Sequence, residues 1–237
     1  MNPTIYFVTA TLLALLALFL VWAILYALWS GLRSGPLTPA QQKKVLFYVG
    51  TAFFCWLSFL SLMSFTGFFE DFQSLPPRML IAIVPPLLLI LILLKSKRFA
   101  ALLKRIPTSW LIYIQSFRIP MELVLWLGYL GGFIPFQMTF EGLNFDILVG
   151  ISALFMGLAV HKKLVEARGI LIWNIASLAI LSVTVYAFIS TYYLTDFLSL
   201  GGSIQFVEFP YLLLASVLLP VALFLHAFSL KQVLSVR

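Results

Sequence analysis

Seven long apolar runs, at about 5–30, 45–69, 79–95, 109–133, 146–161, 169–195 and 209–230, leave this chain few ways to fold. A helix needs about 20 apolar residues to cross the hydrocarbon core of a bilayer. Lipid offers no hydrogen-bond partner to the backbone, so each such run has to satisfy its own amides as a helix. With 62% hydrophobic and only 10% charged residues, against about 25% charged in a soluble domain, the apolar surface exceeds what a water-facing shell can cover. The reading is an all-α integral membrane protein: one domain over 1–237, built as a seven-transmembrane-helix bundle, with the lipid bilayer as its first partner. The third and fifth runs are short, and the fifth is open to starting inside the aromatic-rich segment before it.

Charge orients the bundle. Arg33, Lys43 and Lys44 follow the first run, Lys95 to Arg105 follow the third, Lys162 to Arg168 follow the fifth, and Lys231 and Arg237 close the chain. Of the 15 basic residues, only Arg78 in an opposite-side loop and Arg118 within a run depart from this alternation. The positive-inside rule then predicts an outer N-terminus and a cytoplasmic C-terminus. It also accounts for the net charge of +7 through anionic headgroups, without nucleic acid. The expected location is a prokaryotic inner (cytoplasmic) membrane. The first run has no basic leader and is too long for a cleaved signal, so it reads as a retained span.

Glu70, Asp71, Glu141, Asp146, Asp196 and Glu208 fall on the outer side, where they are either plain solvated loop residues or a field that gathers cations. Asp71-Phe72-Gln73-Ser74-Leu75 and Asp196-Phe197-Leu198-Ser199-Leu200 share the pattern D-F-x-S-L. A proline-bearing run follows each, which allows a 3+1+3 parallel repeat like those of some carriers.

The fourth run carries the feature that composition does not explain. Arg118 and Glu122 lie one turn apart near mid-membrane, and Gln115, Trp126 and Tyr129 continue the same stripe. A charge at this depth costs at least about 2.5–3.5 kcal/mol, so it faces protein or water. Pro120 removes the partner of the Ser116 carbonyl and favours a kink. With Pro85, Pro86 and Pro220 at similar depth, these prolines are candidate hinges around a central polar cavity. The alternative is a structural pair in which Arg118 and Glu122 neutralise each other, although Arg before Glu is the weaker order.

The segment 133–146 is a candidate lid. Within it Asn144 reads as a cap and Asp146 as a first-turn carboxylate, which leaves Glu141 as the binding candidate. Asn174, Ser177 and Thr184 form one face of the sixth run, and Ser182, Tyr186 and Ser190 a second; interhelical hydrogen bonding suits both. His161 and His226 read as structural, and Cys55 as a small buried side chain.

No metal, nucleotide or nucleophile motif occurs. Two histidines cannot build a histidine-rich diiron or haem-pair site, and the seventh run holds no mid-span lysine for retinal, so no cofactor is expected. Three functions remain: a small transporter or permease for a small polar or charged solute or ion, using Arg118 and Glu122; a non-transporting sensor or accessory subunit, as a homo-oligomer or with a membrane partner; and an intramembrane enzyme acting on a lipid or isoprenoid through Glu122 or Glu141.

Overall fold

A computed structural model describes residues 1–195 and 203–235. Among these residues the chain is all helical, with no strand. Four helical stretches are long and apolar enough to cross a membrane: Pro3–Arg33, Pro39–Phe65, Ala167–Leu194 and Leu214–Leu234. The first two are α1 (Pro3–Arg33) and α2 (Pro39–Phe65). Each begins on an N-cap followed directly by proline. Asn2 accepts from the Thr4 amide and Thr38 from the Gln41 amide, which satisfies donors that a helix start leaves open.

Next come α3 (Leu80–Lys95) and the short α4 (Lys97–Leu103), bent by 85° from one another. Ser96 makes the corner, its hydroxyl accepting from the Phe99 amide at 3.2 Å. Pro85 and Pro86 lie inside an unbroken α3. The fourth apolar run is a composite: α5 (Thr108–Tyr113), a 3₁₀ turn at Ile114–Phe117, and α6 (Arg118–Leu130). Then α7 (Asp146–His161), α8 (Ala167–Ile189) with a π turn at Ser190–Leu194, and a π turn at Leu214–Leu218 leading into α9 (Leu219–Leu234) complete the chain. The second D-F-x-S-L copy, Asp196 to Leu200, lies outside the described residues.

Contacts gather the basic connectors at one end of the molecule. Gly35 lies against the Arg105 guanidinium, Lys231 donates to the Leu94 carbonyl, and Gln232 donates to the carbonyls of Leu103 at 2.6 Å and Ile106 at 2.7 Å. At the other end the Asn2 amide donates to Gly131 at 2.8 Å and the Phe209 amide to Ser64 at 2.7 Å. There the Tyr211 hydroxyl meets Thr9 and the Tyr6 carbonyl, and the rings of Tyr6, Phe133 and Tyr211 pack together.

The helices differ sharply in burial. The apolar stretch Leu214–Leu234 is 61% buried, whereas that of α2 is 6% buried, and α2 hides only Leu60 and Ser64. Cys55 therefore corrects the expectation of a buried thiol: it is exposed, because α2 turns nearly its whole surface outward.

Small residues set the closest approach. A Cβ on Gly150 of α7 would meet the Ile119 amide nitrogen at 3.0 Å and the Arg118 Cβ at 3.2 Å, while one on Gly50 of α2 would meet nothing within 4 Å. Gly150→Leu is expected to cost about 1–3 kcal/mol by overpacking, and Gly50→Leu to change thermal stability in detergent by less than about 0.5 kcal/mol.

Candidate functional site

The residues at the middle of the bundle form one hydrogen-bonded cluster across α5–α6, α7, α8 and α9. Its centre is Arg118, fully enclosed. The guanidinium Nη1 donates to Asp146 Oδ1 at 2.5 Å in an ion pair, and Nε donates to Gln115 Oε1 at 3.2 Å. The third guanidinium nitrogen, Nη2, faces His226 Nε2 at 3.2 Å.

That last contact fixes the histidine. Arginine can only donate, so Nε2 accepts and the ring proton sits on Nδ1. Nδ1 then donates to Asn174 Oδ1 at 2.8 Å. Asn174 passes the pattern on, its amide donating to Ser229 Oγ at 3.0 Å and to the Ile170 carbonyl at 2.9 Å. A neutral His226 completes the Arg118 shell without adding charge.

Glu122 is held separately. Its two carboxylate oxygens accept from Asn144 Nδ2 at 2.8 and 2.7 Å. The Asn144 Oδ1 accepts from the Thr184 hydroxyl at 2.9 Å and the Asp146 amide at 3.3 Å, so the amide can present only its NH₂ to the glutamate. That NH₂ also meets the Met138 carbonyl at 3.1 Å. Three acceptors thus share two hydrogens, and among the described residues no cation pairs with Glu122. The structural alternative of an Arg118–Glu122 ion pair is not what forms: Arg118 turns to Asp146.

Local backbone explains how a residue at the start of α7 reaches mid-span. The segment after α6 folds back into the bundle, burying Phe133, Ile134, Met138, Thr139 and Asn144. From Glu122 to the end of α6 is about 12 Å of helix, and this folded-back segment fills that depth. Irregular backbone is tolerated there because protein surrounds it. The N-terminus of α7, with its partial positive charge, then opens beside Asp146 and Asn144. The short fifth run is therefore a 16-residue helix topped by a folded-back segment.

Of the expected site residues, Gln115, Arg118 and Glu122 come together and are fully buried. Trp126 and Tyr129 pack on the folded-back segment instead, against Phe140 at 6.0 Å and Phe136 at 5.6 Å between ring centroids. Glu141 is exposed and outside the cluster. Pro120 and Pro220 each stand in the first α-helical turn after a 3₁₀ or π turn, where the absent amide breaks least.

The hollow expected at this depth is filled: Arg118, Glu122, Asn144, Asn174 and His226 each expose 0% of their surface. One turn beyond Glu122, however, Trp126 Nε1 is buried without a hydrogen-bond partner among the described residues, as is Gln137 Oε1 in the folded-back segment. Asn174 carries the interhelical bonds expected of its face, to Ser229 and His226 of α9, while Thr184 reaches Asn144 in the folded-back segment. The second face corrects that expectation, since Ser182 and Ser190 bond back to Leu178 and Ala187 of their own helical run.

Asn144 and Asp146 do stand at the start of α7, as the sequence suggests; what the sequence does not reveal is that their side chains, and that of His226, reach Glu122 and Arg118. The available signal was that each long run holds few strongly polar residues, and Asn174 and His226 stand alone in theirs. No protein family, curated protein or solved structure matches the chain.

At the far end from the basic connectors, Asp71 pairs with Arg78 at 2.6 Å. Partial burial, reinforced by the neighbouring Glu70 carboxylate, pushes Glu208 above its ordinary range, against a hydrogen bond from Tyr6.

Two outcomes are expected. Removing one partner of a buried ion pair costs about 3–5 kcal/mol, so Arg118→Met should melt far below the parent in detergent, and Arg118→Met with Asp146→Leu should regain most of that loss. For Glu208, a folded value above the unfolded one means the ionised form is disfavoured by folding, so stability falls as pH rises through and just above the carboxylate range. Glu208→Gln should flatten that slope in a melting series against pH.

Proposed function

We propose that the chain is a small seven-span transporter with an outer N-terminus, in which Glu122 takes up the coupling proton or a monovalent cation. The observation that carries this reading is the charge count of the cluster. Arg118 is answered by Asp146, His226 is neutral by its hydrogen bonds, and Glu122 faces an amide alone. One positive charge is needed to balance the second carboxyl, and an unpaired carboxylate at membrane depth is too costly to retain without use.

The residues divide the work. Arg118 and Asp146 hold α6 against α7 as a net-neutral ion pair beside the solute path. Asn144, on the re-entrant segment, senses the load of Glu122: it donates to both oxygens of the ion and loses one of those acceptors when a proton occupies an oxygen. Weakening that grip frees the segment from 131 to 145 to lift toward the outer face. Trp126 Nε1 and Gln137 Oε1, both unsatisfied, supply a donor and an acceptor for a polar solute entering there. The breaks before Pro120 and Pro220 give the helix halves places to tilt.

A second reading has its own support. The cluster is closed on every side, and α2 is almost wholly exposed, as suits a non-transporting subunit pinned internally and docked on a membrane partner.

Proteoliposomes holding a pH-sensitive dye and an imposed proton gradient separate the two. Under the transport reading, wild-type protein dissipates the gradient faster than protein-free vesicles, and Glu122→Gln, once shown to be folded by its melting curve, lowers that rate at least about tenfold by removing the proton-carrying group. A wild-type rate equal to empty vesicles, together with a partner retained through purification, would establish the second reading instead.

A further inference from the structure

A lateral cleft of about 290 Å³ opens between α1 and α2, lined by Trp22, Leu25, Tyr26, Trp29 and Leu46. It exists because α2 buries nothing in its first half: its only buried residues, Leu60 and Ser64, lie near its other end. Trp22, Tyr26 and Trp29 stack along one face of α1, with centroids 5.6 and 5.7 Å apart. Their exposures are 59%, 45% and 37%, so none is absorbed by the protein core.

Both walls end in a cation. On α1, Arg33 follows one turn after Trp29 and covers its ring at 4.8 Å. On α2, Lys43 precedes Leu46 by one turn and shares its face. Residues 1–69 contain no Asp or Glu, and neither basic residue is in an ion pair among the described residues. An anion is therefore the missing partner at the mouth.

The depth of the cleft specifies the rest of the ligand. From Arg33 to Trp22 the helix rises about 16 Å, which is the depth of one leaflet of an approximately 30 Å hydrocarbon core. An aromatic belt sits at headgroup level and accounts for Trp29, but it does not account for Trp22 about 10 Å deeper along the helix. An apolar chain lying along the ladder does.

We infer that the α1–α2 cleft binds one anionic phospholipid of the leaflet at the basic end, its phosphate between Arg33 and Lys43 and an acyl chain along Trp29, Tyr26 and Trp22. This site is separate from the Arg118 cluster and does not depend on what that cluster transports.

The test is native mass spectrometry of the full chain released from detergent, with phosphatidylglycerol and phosphatidylcholine of identical acyl chains added in equal amounts. Each basic side chain at an anionic headgroup contributes about fivefold, or about 1 kcal/mol. One retained phosphatidylglycerol is therefore expected at roughly 25-fold preference. Arg33→Gln with Lys43→Gln should bring the preference near parity, and Lys162→Gln with Lys163→Gln, at the same end but away from the cleft, should leave it. Trp22→Ala with Tyr26→Ala should lower retention of both lipids. No preference in the wild type, a preference that survives loss of Arg33 and Lys43, equal loss in the Lys162/Lys163 variant, or a lipid-free pair of chains in place of a lipid-bound one would each overturn the inference.

Discussion

A guanidinium cannot be left alone inside an apolar helical bundle, and much of this architecture follows from what answers Arg118. Its partner, Asp146, belongs to the first turn of α7. For the two to meet at 2.5 Å, α7 has to begin deep in the bundle instead of at the surface. The chain between α6 and α7 then has to descend to that depth. It does so as a segment whose apolar residues, Phe133, Ile134 and Met138, are buried, and whose loose backbone groups are covered by neighbours. One ion pair thus fixes a helix start, a folded-back segment and the position of Asn144 above Glu122.

Much of this was legible in the sequence, and the part that was not has a physical reason. Helix occurs wherever an apolar run was expected, and the fifth run matches α7 at both ends, because backbone satisfaction in lipid leaves helix as the only local solution. The inward face of Gln115, Arg118 and Glu122 was equally legible from the cost of charge at that depth. Their partners were not. Periodicity says which residues share a face of one helix, whereas Asp146, His226, Asn174 and Thr184 come from three other helices. Asp146 also looks ordinary in sequence: a carboxylate in a first turn is favourable anywhere, and only the descent of the preceding segment carries it to Arg118. Trp126 and Tyr129 lie on the expected stripe yet meet the folded-back aromatics, since the stripe rises past the cluster into the space that segment fills.

The four prolines divide in the same way. Pro85 and Pro86 sit within α3, which stays unbroken and largely exposed and contributes no side chain to the Arg118 cluster. Pro120 and Pro220 stand at changes from 3₁₀ or π to α geometry, each within the run that supplies Arg118 or His226. A helix that already changes its hydrogen-bond pattern there can alter direction with less loss than an ideal one. The two breaks flank the cluster, and Gln115 ties them directly: its side-chain amide donates to the Ala222 carbonyl at 3.3 Å, across from one broken run to the other.

Burial runs as a gradient across the molecule, and the gradient separates two kinds of chemistry. At the α9 side, polar groups are enclosed and every hydrogen bond of His226 and Asn174 is internal, so specificity there comes from geometry fixed within the protein. At the α1–α2 side, aromatic groups stay exposed and the cations face no carboxylate among the described residues, and their arrangement makes sense only against something outside the chain. A bilayer accounts for exposed phenylalanines such as Phe47, Phe54 and Phe65 with no further requirement, because any hydrocarbon will cover them. It does not by itself account for two uncompensated cations set one turn above the two walls of an aromatic cleft. That pairing of charge with depth distinguishes a site from a merely greasy surface.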